Sequence, residues 1–180
     1  MKLGIFNFGN KNRRKNIIEY LPDVGFIINS KKVKWRSDRL QIRKELNLEF
    51  QEDDKIIDLA SFFDGDTSKN IHQKRDIYKK VNSDTGLIFL NYDSNNKLRD
   101  LEVHEGFEIK IGNIQLDFKT DISEFTRQFN KLGTQIVELE KGNFLLPKLK
   151  MTIADNESMG GDGKKLSYFY CSSDITHLLE

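Results

Sequence analysis

Displacing the chain against itself by 83 residues lays Ile28, Val33, Trp35, Arg36, Ser37, Asp38, Ile42, Leu46 and Asn47 over Ile111, Leu116, Phe118, Lys119, Thr120, Asp121, Phe125, Phe129 and Asn130. These nine pairs agree in chemical type. The shared pattern is an alternating apolar strand, a hydroxyl residue suited to cap a helix, an acid for the first helical turn, and apolar residues four apart ending near Asn or Gly. A chain that writes this pattern twice has two amphipathic elements to bury. Its only prolines are Pro22 and Pro147, and no Gly/Ser/Pro-rich linker separates the halves. The reading is therefore one continuous domain, residues 1–180, with a possible internal repeat of residues 26–105 and 109–171.

The second helix is the clearer one. Ile122, Phe125, Phe129 and Leu132 recur at helical spacing, and Gly133 stands ready to close the end. Gly86 to Tyr92 and Leu101 to His104 read as two strands joined through the turn-forming Asp93-Ser94-Asn95-Asn96-Lys97. A comparable pair, Leu146 to Ile153 and Lys165 to Cys171, flanks the loop Gly160-Gly161-Asp162-Gly163. The expected fold class is α+β: antiparallel sheet with helices on one face, in two related helix-plus-hairpin units. Its expected core includes Trp35, Ile42, Leu46, Phe89, Val103, Phe118, Phe125 and Phe129.

Composition supports a real core, since Leu, Ile, Val and Phe make up 55 of the 180 residues, too many for a disordered chain. No apolar run approaches the roughly 18 residues of a membrane helix, and the apolar stretch before Asn7 is too short for a signal peptide. The expectation is a cytoplasmic protein with no membrane partner. A single cysteine, Cys171, excludes an intramolecular disulfide and a Cys-paired zinc site.

Chemical motifs fail one by one. Asp64-Gly65-Asp66-Thr67-Ser68-Lys69-Asn70 spaces oxygens as calcium loops do, but Lys69 takes the glycine position and Arg75 the position of the bidentate Glu. The Gly160 to Lys165 stretch lacks the P-loop's first glycine, which Ser158 replaces, and its Ser/Thr, which Lys165 replaces. His72, His104 and His177 show no ligand spacing, and Cys171 sits in an apolar strand with no nearby His. The reading assigns no catalytic residue, no metal and no cofactor. An enzyme whose site is assembled from distant residues remains an alternative.

Ser37-Asp38-Arg39-Leu40 with Ile42-Arg43 and Leu46-Asn47, then Tyr92-Asp93 before Lys97-Leu98-Arg99-Asp100-Leu101-Glu102-Val103, resembles small bacterial helix-then-sheet proteins related in shape to β-lactamase-inhibitor protein. The resemblance covers residues 26–105 and, more weakly, 109–171, with Asn47 in the place of a closing glycine. In size, in its bias toward Lys, Ile and Asn, and in its lack of a catalytic signature, the chain is also similar to immunity proteins of contact-dependent inhibition and other polymorphic toxin systems. That resemblance implies a non-catalytic protein that neutralises a cognate toxin domain, such as a nuclease, by direct binding.

Charge partition selects the surface. Residues 1–50 carry 12 basic and 5 acidic residues, net +7, whereas residues 51–107 carry 8 and 12, net −4. The acidic segment suits a basic partner, because charge complementarity steers association. The candidate partner-binding residues are Asp53, Asp54, Asp58, Asp64 and Asp66, with Glu102 and His104 as a second patch on the outer face of a strand. The competing reading is a nucleic-acid-binding module. It uses Lys31, Lys32, Lys34, Arg36, Arg39 and Arg43 around Trp35, although strand alternation places Trp35 with Val33 toward the core.

Overall fold

The computed structural model describes residues 17–78 and 88–179. Strands β2 (Gly25–Ile28) and β3 (Lys31–Lys34) form a hairpin that leads into helix α1 (Arg39–Leu46). The hairpin β10 (Glu108–Ile111) and β11 (Ile114–Asp117) leads likewise into α2 (Ile122–Lys131). The first hairpin turns through Asn29 and Ser30, both at positive φ, as a two-residue turn matched to strand twist requires. Behind it Gly25 has φ +141°, and a Cβ there would stand 2.0 Å from the Val33 carbonyl oxygen. No other residue fits that crossing.

The helix starts differ from expectation by one residue. Asp38 and Asp121, not Ser37 and Thr120, are the caps: their side chains accept the Leu40 and Ser123 backbone N–H at 2.9 Å. Asn47 ends α1 in the left-handed conformation, φ 48°, filling the role of a closing glycine. In α2 the apolar face consists of Ile122, Phe125 and Phe129, whereas Leu132 is 67 % exposed because the helix closes at Lys131.

Eight antiparallel strands make the larger sheet. Their order is β12 (Val137–Glu140), β13 (Asn143–Leu146), β14 (Met151–Asp155), β15 (Leu166–Ser172), β9 (Leu98–Val103), β8 (Ile88–Tyr92), β7 (Arg75–Tyr78) and β4 (Phe50–Glu52). A second sheet runs β11, β10, β1 (Ile17–Leu21), β2 and β3, with β1 parallel to β10. The fold is thus mixed α+β and mostly sheet. What covers the larger sheet is the five-stranded sheet as well as the helices. Residues of both sheets and both helices share one core, and Tyr20 of β1 meets Phe169 of β15 edge to face at 5.9 Å.

Both expected hairpins are present, β8–β9 and β14–β15, although Gly86 and Leu87 lie outside the described residues. Leu146 belongs to a separate strand, β13, set off from β14 by a turn at Pro147–Leu149. Register shifts at Asn91/Tyr92 and Ala154/Asp155 break the alternation in both hairpins. A bulge adds one residue to one strand, so Leu98 and Leu101 both point to the core, as do Leu166 and Phe169. Asp100, Glu102, Tyr168 and Tyr170 are thereby aimed at the opposite, outer face of the sheet.

Ile42, Leu46, Val103, Phe125 and Phe129 are buried as expected. Trp35 and Phe118 are only partly buried and pack against the core from its margin. Phe89 is not in the core. Its neighbours Ile88, Leu90 and Tyr92 take the inward positions of β8, and period-two alternation puts Phe89 outside.

Candidate functional site

The acidic segment forms an arm. Among the described residues, strands β5 (Lys55–Ile57) and β6 (Ile71–Gln73) pair only with each other, and two short 3-10 turns, Ala60–Phe62 and Thr67–Lys69, shape the tip between them. The tip is stitched by polar side chains: Asp58 accepts the Ala60 N–H, Asp66 the Ser68 N–H and Asn70 the Leu59 N–H, each at 2.9 Å. Asp64 sits between the turns at φ 51°. None of the residues of the two turns is buried. The arm nevertheless exposes Ile56 (62 %), Phe62 (80 %), Phe63 (48 %) and Ile71 (51 %). Phe62 and Phe63 stand exposed next to each other at the tip, whereas Ile56 and Ile71 face opposite sides of the ribbon, since Ile56 pairs with His72 and Ile71 with Ile57.

The root of the arm is fixed by ion pairs. Asp53 accepts from Arg75 at 2.6 Å and from Gln73 at 2.8 Å. Asp54 accepts a bidentate pair from Arg39 at 2.8 and 2.7 Å and the Arg75 backbone N–H at 3.1 Å. The Arg75 and Arg39 guanidiniums hold the Asp53 and Asp54 carboxyls, respectively, below the usual carboxylate range. Arg39 is itself buried and reaches Asp76, a fully buried carboxylate that also accepts from Arg43 and from the Tyr92 hydroxyl. Burial opposes ionisation of Asp76, and the two arginines overcome it, so its carboxyl lies below the ordinary value.

The predicted acids therefore do different jobs. Asp53 and Asp54 anchor the arm, Asp58 and Asp66 cap turns within it, and Asp64 stands at its tip. Ile56, Phe62, Phe63 and Ile71 escape a search for charge, since Leu59-Ala60-Ser61-Phe62-Phe63 shows neither helical nor strand period. The only sequence signal is an apolar pentad, broken by one serine, enclosed by acids.

Glu102 and His104 lie on the outer face as expected, in a row that starts at the arm. The Arg75 guanidinium covers the Phe89 ring at 4.8 Å, Phe89 meets His104 at 4.9 Å, and His104 meets Tyr168 at 5.1 Å. Glu102 accepts from the Asn91 amide and from the Tyr168 hydroxyl, with His104 at 3.8 Å. Burial opposes its ionisation, but His104, Asn91 and Tyr168 together keep its carboxyl below the ordinary range.

The basic run is divided. Lys31, Lys32 and Lys34 are exposed on β3, but Trp35 packs edge to face on Phe26 and Tyr20 and offers no open stacking platform. Arg39 and Arg43 are committed to Asp54, Asp76 and Glu52, which removes two of the six cations expected to meet phosphate. Cys171 is fully buried, and burial pushes its thiol up, away from the reactive thiolate. Among the described residues no three His, Cys, Asp or Glu converge on a metal position, and no helix is long and apolar enough to cross a membrane. No family model, curated protein or solved structure matches the chain.

Proposed function

We propose that the chain is a non-catalytic protein-binding module that docks on a basic partner through the β5–β6 arm, in the manner of an immunity protein neutralising a toxin domain such as a nuclease. The observation that carries this reading is the exposure of the adjacent Phe62 and Phe63 between Asp58, Asp64 and Asp66 at the tip of the anchored β5–β6 hairpin. Apolar anchors supply affinity on burial, and surrounding acids accelerate encounter with a positive surface. A rigid root lowers the ordering cost of binding, and the Asp53–Arg75 and Asp54–Arg39 pairs provide one. The nucleic-acid reading has less to rest on, because Trp35, Arg39 and Arg43 are engaged internally.

We further read residues 26–105 and 109–171 as related units. Each runs from a hairpin through an Asp-capped helix into four strands of the larger sheet, the first unit adding the β5–β6 arm, and those strands meet at β9 and β15 in mirrored order. The bulge opposite the first residue of β9 recurs opposite the first residue of β15.

The test begins with the reading frame immediately upstream, where a large secreted protein with a variable C-terminal toxin domain is expected, and uses that domain as the partner; the absence of such a frame counts against the reading. The wild-type chain is expected to form a stable complex with the domain and abolish its toxicity on co-expression. Phe62→Ser with Phe63→Ser should lose the complex while unfolding at the wild-type temperature. Asp58→Asn, Asp64→Asn and Asp66→Asn together keep the capping oxygens and should slow association with little change in dissociation. Intact binding by these variants, with loss on changing Lys31, Lys32, Lys34 and Arg36 to Gln, overturns the reading in favour of a basic interface.

A further inference from the structure

The edges of the two sheets are not alike. An edge strand carries unpaired backbone N–H and C=O groups, which proteins guard with lysines, prolines or a very short strand. In the five-stranded sheet β3 is guarded by Lys31, Lys32 and Lys34, all exposed. In the larger sheet β4 is three residues long, and the Arg43 guanidinium lies 4.3 Å over its Phe50 ring and pairs with its Glu52 at 2.6 Å. At the opposite edge β12 reads Val137-Glu138-Leu139-Glu140, without lysine or proline. All four residues are exposed, Val137 at 37 % and Leu139 at 38 %. Among the described residues β12 pairs with β13 alone, so alternate backbone groups of β12 point outward from the sheet. The register shift between Glu138 and Glu140 lies next to the turn at Lys141 and Gly142, and Val137 and Glu138 keep regular pairing with Leu145 and Phe144. Glu138 accepts the Gly142 backbone N–H at 3.2 Å, and among the described residues neither glutamate has an ion pair.

These charges select what the edge can pair with. Directly opposite residues of an antiparallel pair share a face, and like charges there are destabilising. A second copy of β12 pairing about Glu138 would set Glu138 against its own copy, and pairing about Leu139 would set Glu138 against Glu140. A strand with basic residues at alternate positions meets the glutamates instead, and its intervening apolar residues lie beside Val137 and Leu139. We propose that β12 is a docking edge for an extended, alternately basic and apolar segment of a protein partner, which joins the eight strands of the larger sheet as one more. Backbone hydrogen bonds along the edge supply the affinity, and Glu138 and Glu140 bar a like strand while admitting a complementary one. The edge lies at the far end of the larger sheet from β4 and the root of the arm, so docking there does not depend on the arm.

The experiment titrates the full chain with acetyl-Ser-Lys-Val-Lys-Val-Lys-Ser-amide and follows the backbone amides by NMR. Saturable shifts and slowed hydrogen exchange are expected at Val137 to Glu140, weakening as salt is raised. The same peptide N-methylated on its five central residues cannot donate to the edge and should bind about ten- to a hundredfold more weakly. The peptide with glutamates in place of the lysines should give no shift. Glu138→Lys with Glu140→Lys should reverse that preference, binding the glutamate peptide and not the lysine one, at an unchanged unfolding temperature. Absence of shifts at Val137 to Glu140, undiminished binding of the N-methylated peptide, or equal binding of the glutamate peptide to the wild-type chain overturns the proposal. Dimers of the chain alone that the lysine peptide dissolves assign the edge to a second copy and overturn it as well. The Phe62→Ser, Phe63→Ser variant should titrate as wild type, which separates this result from the fate of the arm.

Discussion

Asp76 is the residue whose loss the structure prices most clearly. Its carboxylate is fully buried and accepts from Arg39 at 3.0 and 2.7 Å, from Arg43 at 2.9 and 2.6 Å, and from Tyr92 at 3.2 Å. A carboxylate has about four lone-pair positions, so no acceptor capacity remains. Asp76→Asn keeps the shape and removes the charge, which leaves two guanidiniums facing a neutral amide that has its own N–H groups to place. Breaking a buried pair by removing one partner costs about 3–5 kcal/mol. Arg39 retains Asp54 and Arg43 retains Glu52, so the lower end, about 3 kcal/mol, is expected. Urea unfolding followed by far-UV circular dichroism, and by the fluorescence of Trp35, the single tryptophan, measures it as a lower midpoint at unchanged slope. A companion variant, Arg39→Met, Arg43→Met, Asp76→Leu and Tyr92→Phe, removes the whole buried cluster and leaves only the solvent-accessible Asp54 and Glu52 without their cations, so it should lie within about 1 kcal/mol of wild type. A loss under about 1 kcal/mol for Asp76→Asn, or a companion as damaged as the single variant, refutes the argument.

Phe125→Ala and Phe129→Ala each empty a fully packed position and should each cost about 3–5 kcal/mol by the same urea assay; wild-type stability in either would contradict the packing of α2. Gly25→Ala forces a side chain at φ +141° against the Val33 carbonyl, a strain of at least about 1–3 kcal/mol, read as a lower unfolding temperature. Acid should destabilise the protein through Asp54, Asp76 and Glu102, whose folded pKa values are depressed. Their contribution is complete above the unfolded carboxylate range of about 4 and falls as pH drops through it toward the folded values, because the unfolded state then binds more protons. The urea midpoint measured from pH 6 to pH 3 should decline on that side, and more shallowly in Asp76→Asn; a flat profile would contradict the assignment.

The parts legible in the sequence are those written in local chemistry. The period of Ile122, Phe125 and Phe129, the acids that start both helices, and the Asp93 to Lys97 turn each specify an element from neighbouring residues alone. Strands β12 and β4 were not legible, since both are exposed edge strands with no inward face to impose alternation. Nor was the five-stranded sheet, which joins β1 to β10 in parallel across some ninety residues; such a pairing leaves no local trace. Phe89 was misplaced for a different reason. Leu87, Ile88, Leu90 and Tyr92 around it suggest a buried strand, and only its register against Leu90 and Ile88 decides which face it takes. The acids of residues 51–66 were visible as charge, but their partners Arg39 and Arg75 lie on other elements, so anchor and docking surface look alike until the chain is folded.

Asp76 and Phe144 hold corresponding places in the larger sheet. Asp76 lies opposite Leu90 on β8, and Phe144 lies opposite Ile153 on β14. On the Phe144 side the position is filled by an apolar ring packed against the core, and α2 contributes Ile122, Phe125 and Phe129. That half closes with no buried charge at this place, so nothing in the architecture demands one. The other half has Arg39 and Arg43 on its helix and Asp76 beneath them, an arrangement that buried ion pairs seldom make more stable than apolar packing. What distinguishes that half is the arm, and Arg39 is the side chain that grips both Asp76 in the sheet and Asp54 at the arm's root. An apolar filling would close the core equally well and leave Asp54 without its partner. The buried cluster is therefore accounted for by the direction in which it fixes the arm, which ties the least economical feature of the core to the surface on which Phe62 and Phe63 are displayed.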